Sequence, residues 1–357
     1  MRILEKNIVQ EKHISGTVSI GSLCLESGEI IENAVLAFER VGPLNAPVVL
    51  VCHALTGDQF AVGTEEKPGW WRGLIGANQA VDTEQFQVIT FNILGGCNGS
   101  TGPLAVNKNT SKPYRSTFPH VTVRDMVNAQ RKALNQLGID HLYAVMGGSL
   151  GGMQVLEWGI MYPKDMKKLF VFAATPFLTD YGIAFNRIGI EAIENDPNWK
   201  QGEYSSAQDI KGFEIARMIG MITYRSPSLF TERFARTKCH QNGKNPLYEV
   251  ESYLRHQGEK LTSRFDANSY LTLLYTMNGH DIGRNRNGWE SASNLYEAEI
   301  IAFSYENDLI YTPELMSTFV SKVSKSHYYR IPTKFGHDGF LVEFNKWGYF
   351  VKEHLEN

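Results

Sequence analysis

The residues best placed to do chemistry surround Ser149, in the run AVMGGSLGGMQVLEW at 144–158. Gly147-Gly148-Ser149-Leu150-Gly151 fits G-x-S-x-G, with a buried-strand pattern before it and a helical pattern after it. A serine in such a turn is held in a strained backbone, and side chains two residues to either side would collide, so glycines occupy 147 and 151. The free N–H groups of the following helix then face the hydroxyl, and that of Leu150 can donate to an oxyanion. A glycine-rich turn that merely packs tightly is the plainer alternative. Strand–GGSLGG–helix is, however, much rarer than a bare G-x-S-x-G.

A serine nucleophile needs a base, and the base needs a group to orient it. In turns of this kind the partners follow in the order serine, acid, histidine, each just beyond a later strand. The late histidines are His280, His327, His337 and His354. His327 opens a strand and His354 sits in a charged terminal helix, whereas His337 lies in the glycine-flanked loop FGHDG after the run Tyr328–Ile331. That is where a base belongs. For the acid, SYENDLIYTP offers both Glu306 and Asp308. Asp308 precedes an apolar pair and is the better placed to be held partly buried; Glu306 is nearer the strand end and stays a competitor. A second oxyanion donor is expected in the loop after Val48–Cys52, with the Leu55 N–H as candidate. His53, in the same loop, comes too early in chain order to be the base and reads as structural.

These residues need a frame. Short apolar runs at Val48–Cys52, Phe86–Phe91, Leu142–Met146, Leu169–Ala174, Ile300–Ser304 and Tyr328–Ile331 read as strands buried on both faces. Thr122, with Asp125 three residues on, caps a helix, and a second helix runs from Met153 to Tyr162, stopped by Pro163. Strand and helix in alternation predict an α/β domain with right-handed crossovers. The stretch 17–41 alternates instead and carries Ser-Gly turn signals, which predicts an antiparallel hairpin or meander at the sheet edge. From residue 177 to 296 strand-like runs vanish, and helical stretches such as Glu214–Ile222 and Tyr270–Met277 alternate with polar connectors. The core is thus expected at 1–176 and 297–357, with 177–296 inserted as helices.

Composition narrows the partners. The 357 residues are 43% hydrophobic and 20% charged, which is ordinary globular usage, and the formal net charge is −3. No basic run tracks nucleic acid or an anionic membrane. The N-terminal MRILEKNIVQEKH lacks the apolar block of a signal peptide, and no run reaches the roughly 18 apolar residues of a membrane span. Cys24, Cys52, Cys97 and Cys239 are scattered without metal-ligand spacing, so reduced thiols, no metal and a cytoplasmic setting are expected.

Taken together, the motifs resemble the homoserine O-acyltransferase family of the α/β-hydrolase fold, and within it the homoserine O-acetyltransferases. The resemblance rests on HALTG at 53–57, PGWW at 68–71, GGCNGSTGP at 95–103, FP..TVRDMV at 118–127, GGSLGGMQ at 147–154, AR.IG.ITYRS at 216–226 and GHDGFL at 336–341. It implies Ser149 as acyl-accepting nucleophile, Asp308 rather than Glu306 as orienting acid, and His337 as base. It further implies that Arg217 grips the carboxylate of an amino-acid acceptor, with Tyr224 nearby and Asp338 holding the ammonium. A guanidinium fork on the carboxylate and a carboxylate on the ammonium suit a zwitterion. Read from spacing alone, Arg217 is a solvated helix residue and Asp338 an N-cap of the last helix. The resemblance also implies acetyl-CoA as co-substrate without a bound cofactor, L-homoserine as acceptor, a lid at 177–296 that excludes water, and a homodimer. Succinyl-CoA as donor, serine as acceptor, a lidded esterase and a non-catalytic binding protein are the competing readings.

Overall fold

Each apolar run becomes a strand whose successive side chains enter different layers, because strand side chains alternate between faces. The computed structural model describes residues 13–239 and 247–357; the reading of the N-terminal twelve residues lies outside them. Within the central sheet the strands are β1 (Ile14–Cys24), β2 (Ile30–Val41), β3 (Val48–Cys52), β4 (Gln87–Phe91), β5 (Leu142–Gly148), β6 (Met166–Phe172), β7 (Glu299–Tyr305) and β8 (Ser326–Ile331). Their spatial order is β1-β2-β4-β3-β5-β6-β7-β8. β1 and β2 pair antiparallel, as do β2 and β4, while every pair from β4 to β8 is parallel. The expected edge hairpin and parallel core are both present.

Leu50, Ile89, Val145 and Leu169 enter the apolar layer on one side of the sheet. Val49, Val51, Phe170 and Phe303 enter the other, with Trp71 and Trp347. On the first side lie α1 (Val123–Gln136) and α2 (Leu150–Met161). α1 starts at the predicted capping box: the Asp125 N–H donates to the Thr122 hydroxyl at 3.1 Å, and the Thr122 N–H donates to the Asp125 carboxylate at 2.9 Å. α2 starts three residues earlier than its apolar periodicity suggests, because glycines at 151 and 152 carry no hydrophobic signal. β8 is the far edge strand and is only partly covered, not buried on both faces as its apolar run suggests. With β7 as its one neighbour, its outer side is left half open.

Between β6 and β7 the chain forms α3 (Asp180–Glu194), α4 (Lys211–Thr223), α5 (Pro227–Phe234), α6 (Glu249–Thr262), α7 (Ala267–Asn278) and the short α8 (Trp289–Ala292). The stretch is not wholly helical, since Lys238–Cys239 pairs with Leu247–Tyr248 in a small antiparallel ladder. α9 (Pro313–Val320) follows β7, and α10 (Phe344–Glu356) closes the fold. Glu157 on α2 is 2% exposed and fastens this excursion to the frame: Arg124 on α1 reaches it at 3.0 Å and Arg286, beyond α7, at 2.8 Å. Burial pushes the Glu157 carboxyl above its ordinary pKa, against the pull of both arginines. The four cysteines are free thiols, and no described helix is long and apolar enough to cross a membrane.

Candidate active site

Ser149 lies between the end of β5 and the start of α2 with φ 58° and ψ −124°, a strained region for a residue with a side chain. The surrounding glycines have the expected cause. A Cβ on Gly147 would stand 2.7 Å from the carbonyl carbon of Gly151, and one on Gly151 would overlap the Cys52 carbonyl oxygen. The turn is therefore wedged against the end of β3, where the His53–Gly57 loop begins. Leu150 is the first residue of α2, so its N–H has no partner within the helix. Leu55 is buried in the neighbouring loop. His53 locks that loop: one ring nitrogen bonds the Ala54 carbonyl at 2.7 Å, and the other accepts from the Ile93 N–H at 3.1 Å. Burial lowers the His53 pKa, and both nitrogens are occupied, as its structural reading requires.

Asp308 and His337 meet 29 residues apart in sequence. The imidazole Nδ1 is 2.8 Å from Asp308 Oδ2, and both side chains are almost fully buried. The other carboxylate oxygen accepts the N–H groups of Ile310 at 3.0 Å and Tyr311 at 2.9 Å, which fixes the acid in the turn after β7. Glu306 turns outward to Arg330 at 3.6 Å. With Nδ1 on the carboxylate, Nε2 is the nitrogen left to act as base. The imidazole and the serine have neighbours in common. Tyr224 and Tyr311 flank the His337 ring at 5.6 and 5.0 Å between centroids, and both line the same cavity as Ser149. Most of the remaining lining of that cavity comes from α3, α4 and α7.

Arg217, on α4, holds its guanidinium 5.6 Å over the Tyr224 ring and makes no ion pair among the described residues. Burial raises the Tyr224 pKa, Arg217 lowers it and Asp338 raises it. The solvated-residue reading of Arg217 thus gives way to a half-buried cation beside the cavity. Asp338 does not cap the last helix, because that position falls to Glu343, five residues later. It lies in the short helical turn Gly336–Leu341, donates its N–H to the Tyr224 carbonyl at 2.9 Å, and pairs with Arg225 at 3.1 Å. Arg225 went unassigned in the sequence although it follows Tyr224 directly, for nothing in its spacing points to residue 338. At the opposite end of the sheet, Glu299, His327 and His354 gather ligand-type atoms within 4.8 Å of one another. His327 bonds Glu299 and His354 bonds the Tyr329 hydroxyl, each at 2.9 Å. The wide sequence separation of these residues hides the cluster.

An imidazole clamped by a buried carboxylate, flanked by two tyrosines that share a cavity with a serine at a helix N-terminus, can activate that hydroxyl for acyl transfer. Comparison with known proteins agrees in fold and chemistry. Residues 47–344 match the family model of the alpha/beta hydrolase fold. The chain is 38% identical to the homoserine O-acetyltransferase of Carboxydothermus hydrogenoformans over 95% of this chain and 94% of that one. It is 41% identical to that of Symbiobacterium thermophilum, over 94% and 92%. The structure superposes on homoserine O-acetyltransferase from Bacillus anthracis with TM-score 0.91 at 25% identity, covering 97% of this chain and 98% of that one. Esterase E22 superposes with TM-score 0.89 at 25% identity, over 96% and 100%. On its sequence, sheet and elbow alike, the chain belongs to the homoserine O-acetyltransferase family of the α/β-hydrolase fold.

Proposed function

We propose that the chain transfers the acetyl group of acetyl-CoA to the hydroxyl of L-homoserine through an acetyl-Ser149 intermediate, a step of methionine biosynthesis. The observation that carries this reading is the Asp308–His337 pair at 2.8 Å, whose flanking tyrosines share a cavity with Ser149. His337 takes the Ser149 proton, Oγ attacks the thioester carbonyl, and the Leu55 and Leu150 N–H groups hold the oxyanion. The imidazolium returns its proton to the leaving thiolate, and CoA departs. The homoserine hydroxyl then gives its proton to His337 and attacks the acetyl-serine, releasing O-acetylhomoserine and restoring the serine.

Arg217 receives the acceptor carboxylate: an unpaired guanidinium beside the cavity suits a bidentate anion. Asp338 holds the ammonium, sharing its carboxylate with Arg225, and Tyr224 lies between the two groups. The helices of 177–296 act as a lid that keeps water from competing with the acceptor. No cofactor or metal takes part, and the site is cytoplasmic. Tyr181 and Ile188 on α3, and Ile215 and Ile222 on α4, are exposed and seven residues apart on each helix, which supplies an apolar stripe for a homodimer. A species of twice 40.2 kDa by light scattering is the expected result.

Initial rates with both substrates varied test the route: parallel double-reciprocal lines are expected, and intersecting lines overturn a free acyl-enzyme. The likeness to esterase E22 keeps hydrolysis as the second reading. An assay of acetyl-CoA consumption with homoserine, with serine and without acceptor separates these. Strong stimulation by homoserine favours transfer, whereas an equal rate without acceptor favours the esterase. Succinyl-CoA in the same assay distinguishes the donors.

A further inference from the structure

The polar groups lining the Ser149 cavity can be accounted for one by one. Asn186 donates to Asn278 at 2.8 Å, Thr223 donates to the Gly220 carbonyl at 2.9 Å, and the Tyr270 hydroxyl serves that of Tyr224. One remains. The Tyr311 hydroxyl is buried, in a residue 2% exposed; its oxygen faces the Ser149 hydroxyl, and its own O–H finds no acceptor among the described residues. Native structures rarely leave a buried hydroxyl so, and a group like this commonly awaits a ligand or an ordered water.

Its position is tightly determined. The ring stacks on the His337 imidazole at 5.0 Å and 29°, and the Tyr311 N–H is bonded to the same carboxylate that holds that imidazole. Burial raises its pKa while the Ser149 hydroxyl pulls the other way, so the phenol is neutral and lies beside the serine. Much of the nearby wall is apolar, with Leu178, Phe185 and Ile310 among its members. Any nucleophile that deacylates Ser149 must reach both His337 and the acyl carbon, and Tyr311 stacks on that imidazole while sharing the cavity with the serine.

We infer that Tyr311 is the group that positions the acceptor alcohol: its O–H donates a hydrogen bond to the oxygen that attacks the acyl-serine. The inference rests on the acetyl-Ser149 reading and adds to it a residue for the second half-reaction. The acceptor proton passes to His337 Nε2, the new C–O bond forms, the acyl–Oγ bond breaks, and Oγ recovers the proton from His337. The phenol keeps its own proton throughout.

Tyr311→Phe preserves the ring and removes only the hydroxyl. Rapid mixing with acetyl-CoA should show a CoA burst within about twofold of the native rate, while deacetylation by homoserine slows about tenfold, the order of one lost hydrogen bond. Binding supplies an independent readout through 2-aminobutyrate, which is homoserine without its hydroxyl. The native protein should bind homoserine more tightly than 2-aminobutyrate, and Tyr311→Phe should remove that preference while leaving 2-aminobutyrate affinity unchanged. Unaltered deacetylation with an unaltered binding preference overturns the inference. Burst and deacetylation slowing together also overturn it, since the hydroxyl would then serve Ser149 or His337. Absence of any burst in the native protein would instead remove the acyl-serine reading, and the binding pair would still decide whether Tyr311 senses the alcohol.

Discussion

At Ser149 the backbone holds an L-residue in a conformation that glycine alone adopts without strain, and the turn is wedged by contacts on both sides. Removing the hydroxyl should leave that wedge untouched. Ser149→Ala is therefore expected to fold normally by circular dichroism and to take up no radiolabel from [14C]acetyl-CoA; stable labelling of the variant would refute the nucleophile. Asp308→Asn isolates the next link. The amide oxygen can still accept the Ile310 and Tyr311 N–H groups, so the turn persists, but the amide N–H₂ faces Nδ1 and favours the wrong tautomer. Turnover should fall about 10³–10⁴-fold with little change in thermal midpoint, measured by steady-state kinetics and calorimetry. Ser149 and His337 were legible because each follows a strand signal in a fixed chain order, whereas Asp308 was settled against Glu306 only by the family resemblance. Tyr311 and Arg225 were not legible, because a buried donor without an acceptor or a cross-loop ion pair exists only once remote segments meet.

Among the elements, the parallel strands and the capped start of α1 could be read directly, since period and cap are local properties. The start of α2 and the partial cover of β8 could not, because glycine carries no pattern and edge position depends on the whole sheet. Helix crossings belong to the same class. Gly212, in the first turn of α4, packs so closely on α3 that a Cβ there would overlap the Ala192 carbonyl oxygen. Gly212→Ala must push the two helices apart, a backbone clash that costs about 1–3 kcal/mol or more. Both helices line the cavity, so KM for the acceptor should rise along with the loss of stability in urea melts. An unchanged KM would show that the α3–α4 crossing does not shape acceptor binding.

In the whole molecule, the contact between frame and excursion is electrostatic as well as apolar. Glu157→Gln would leave Arg124 and Arg286 facing a neutral partner in the interior. A loss of about 3–5 kcal/mol in unfolding free energy is expected by denaturant titration. Acid should find a second weakness. Burial holds His280 neutral and lowers its pKa to about 3, with Arg124, Arg284 and Arg286 adding to the effect. The unfolded chain protonates that ring near 6.5, so the stabilisation is complete above pH 6.5 and drains away as pH falls towards 3. The slope is roughly 1.4 kcal/mol per pH unit for one such group, and His53 contributes with the same sign. Urea titrations at pH 7, 6 and 5 should show the decline, and His280→Gln should flatten it by about one proton. An identical slope in the variant would show that His280 carries no part of it.

The excursion that holds α3 to α8 departs after β6 and rejoins at β7, two strands that lie side by side. Ends that are already neighbours make length cheap, for doubling such a loop costs only ~0.6 kcal/mol in closure entropy. Descendants can therefore rewrite this stretch wholesale while the elbow, the clamp and the sheet stay as they are. Natural selection for a new acceptor, or for hydrolysis, meets a replaceable cartridge rather than a catalytic apparatus that must be rebuilt.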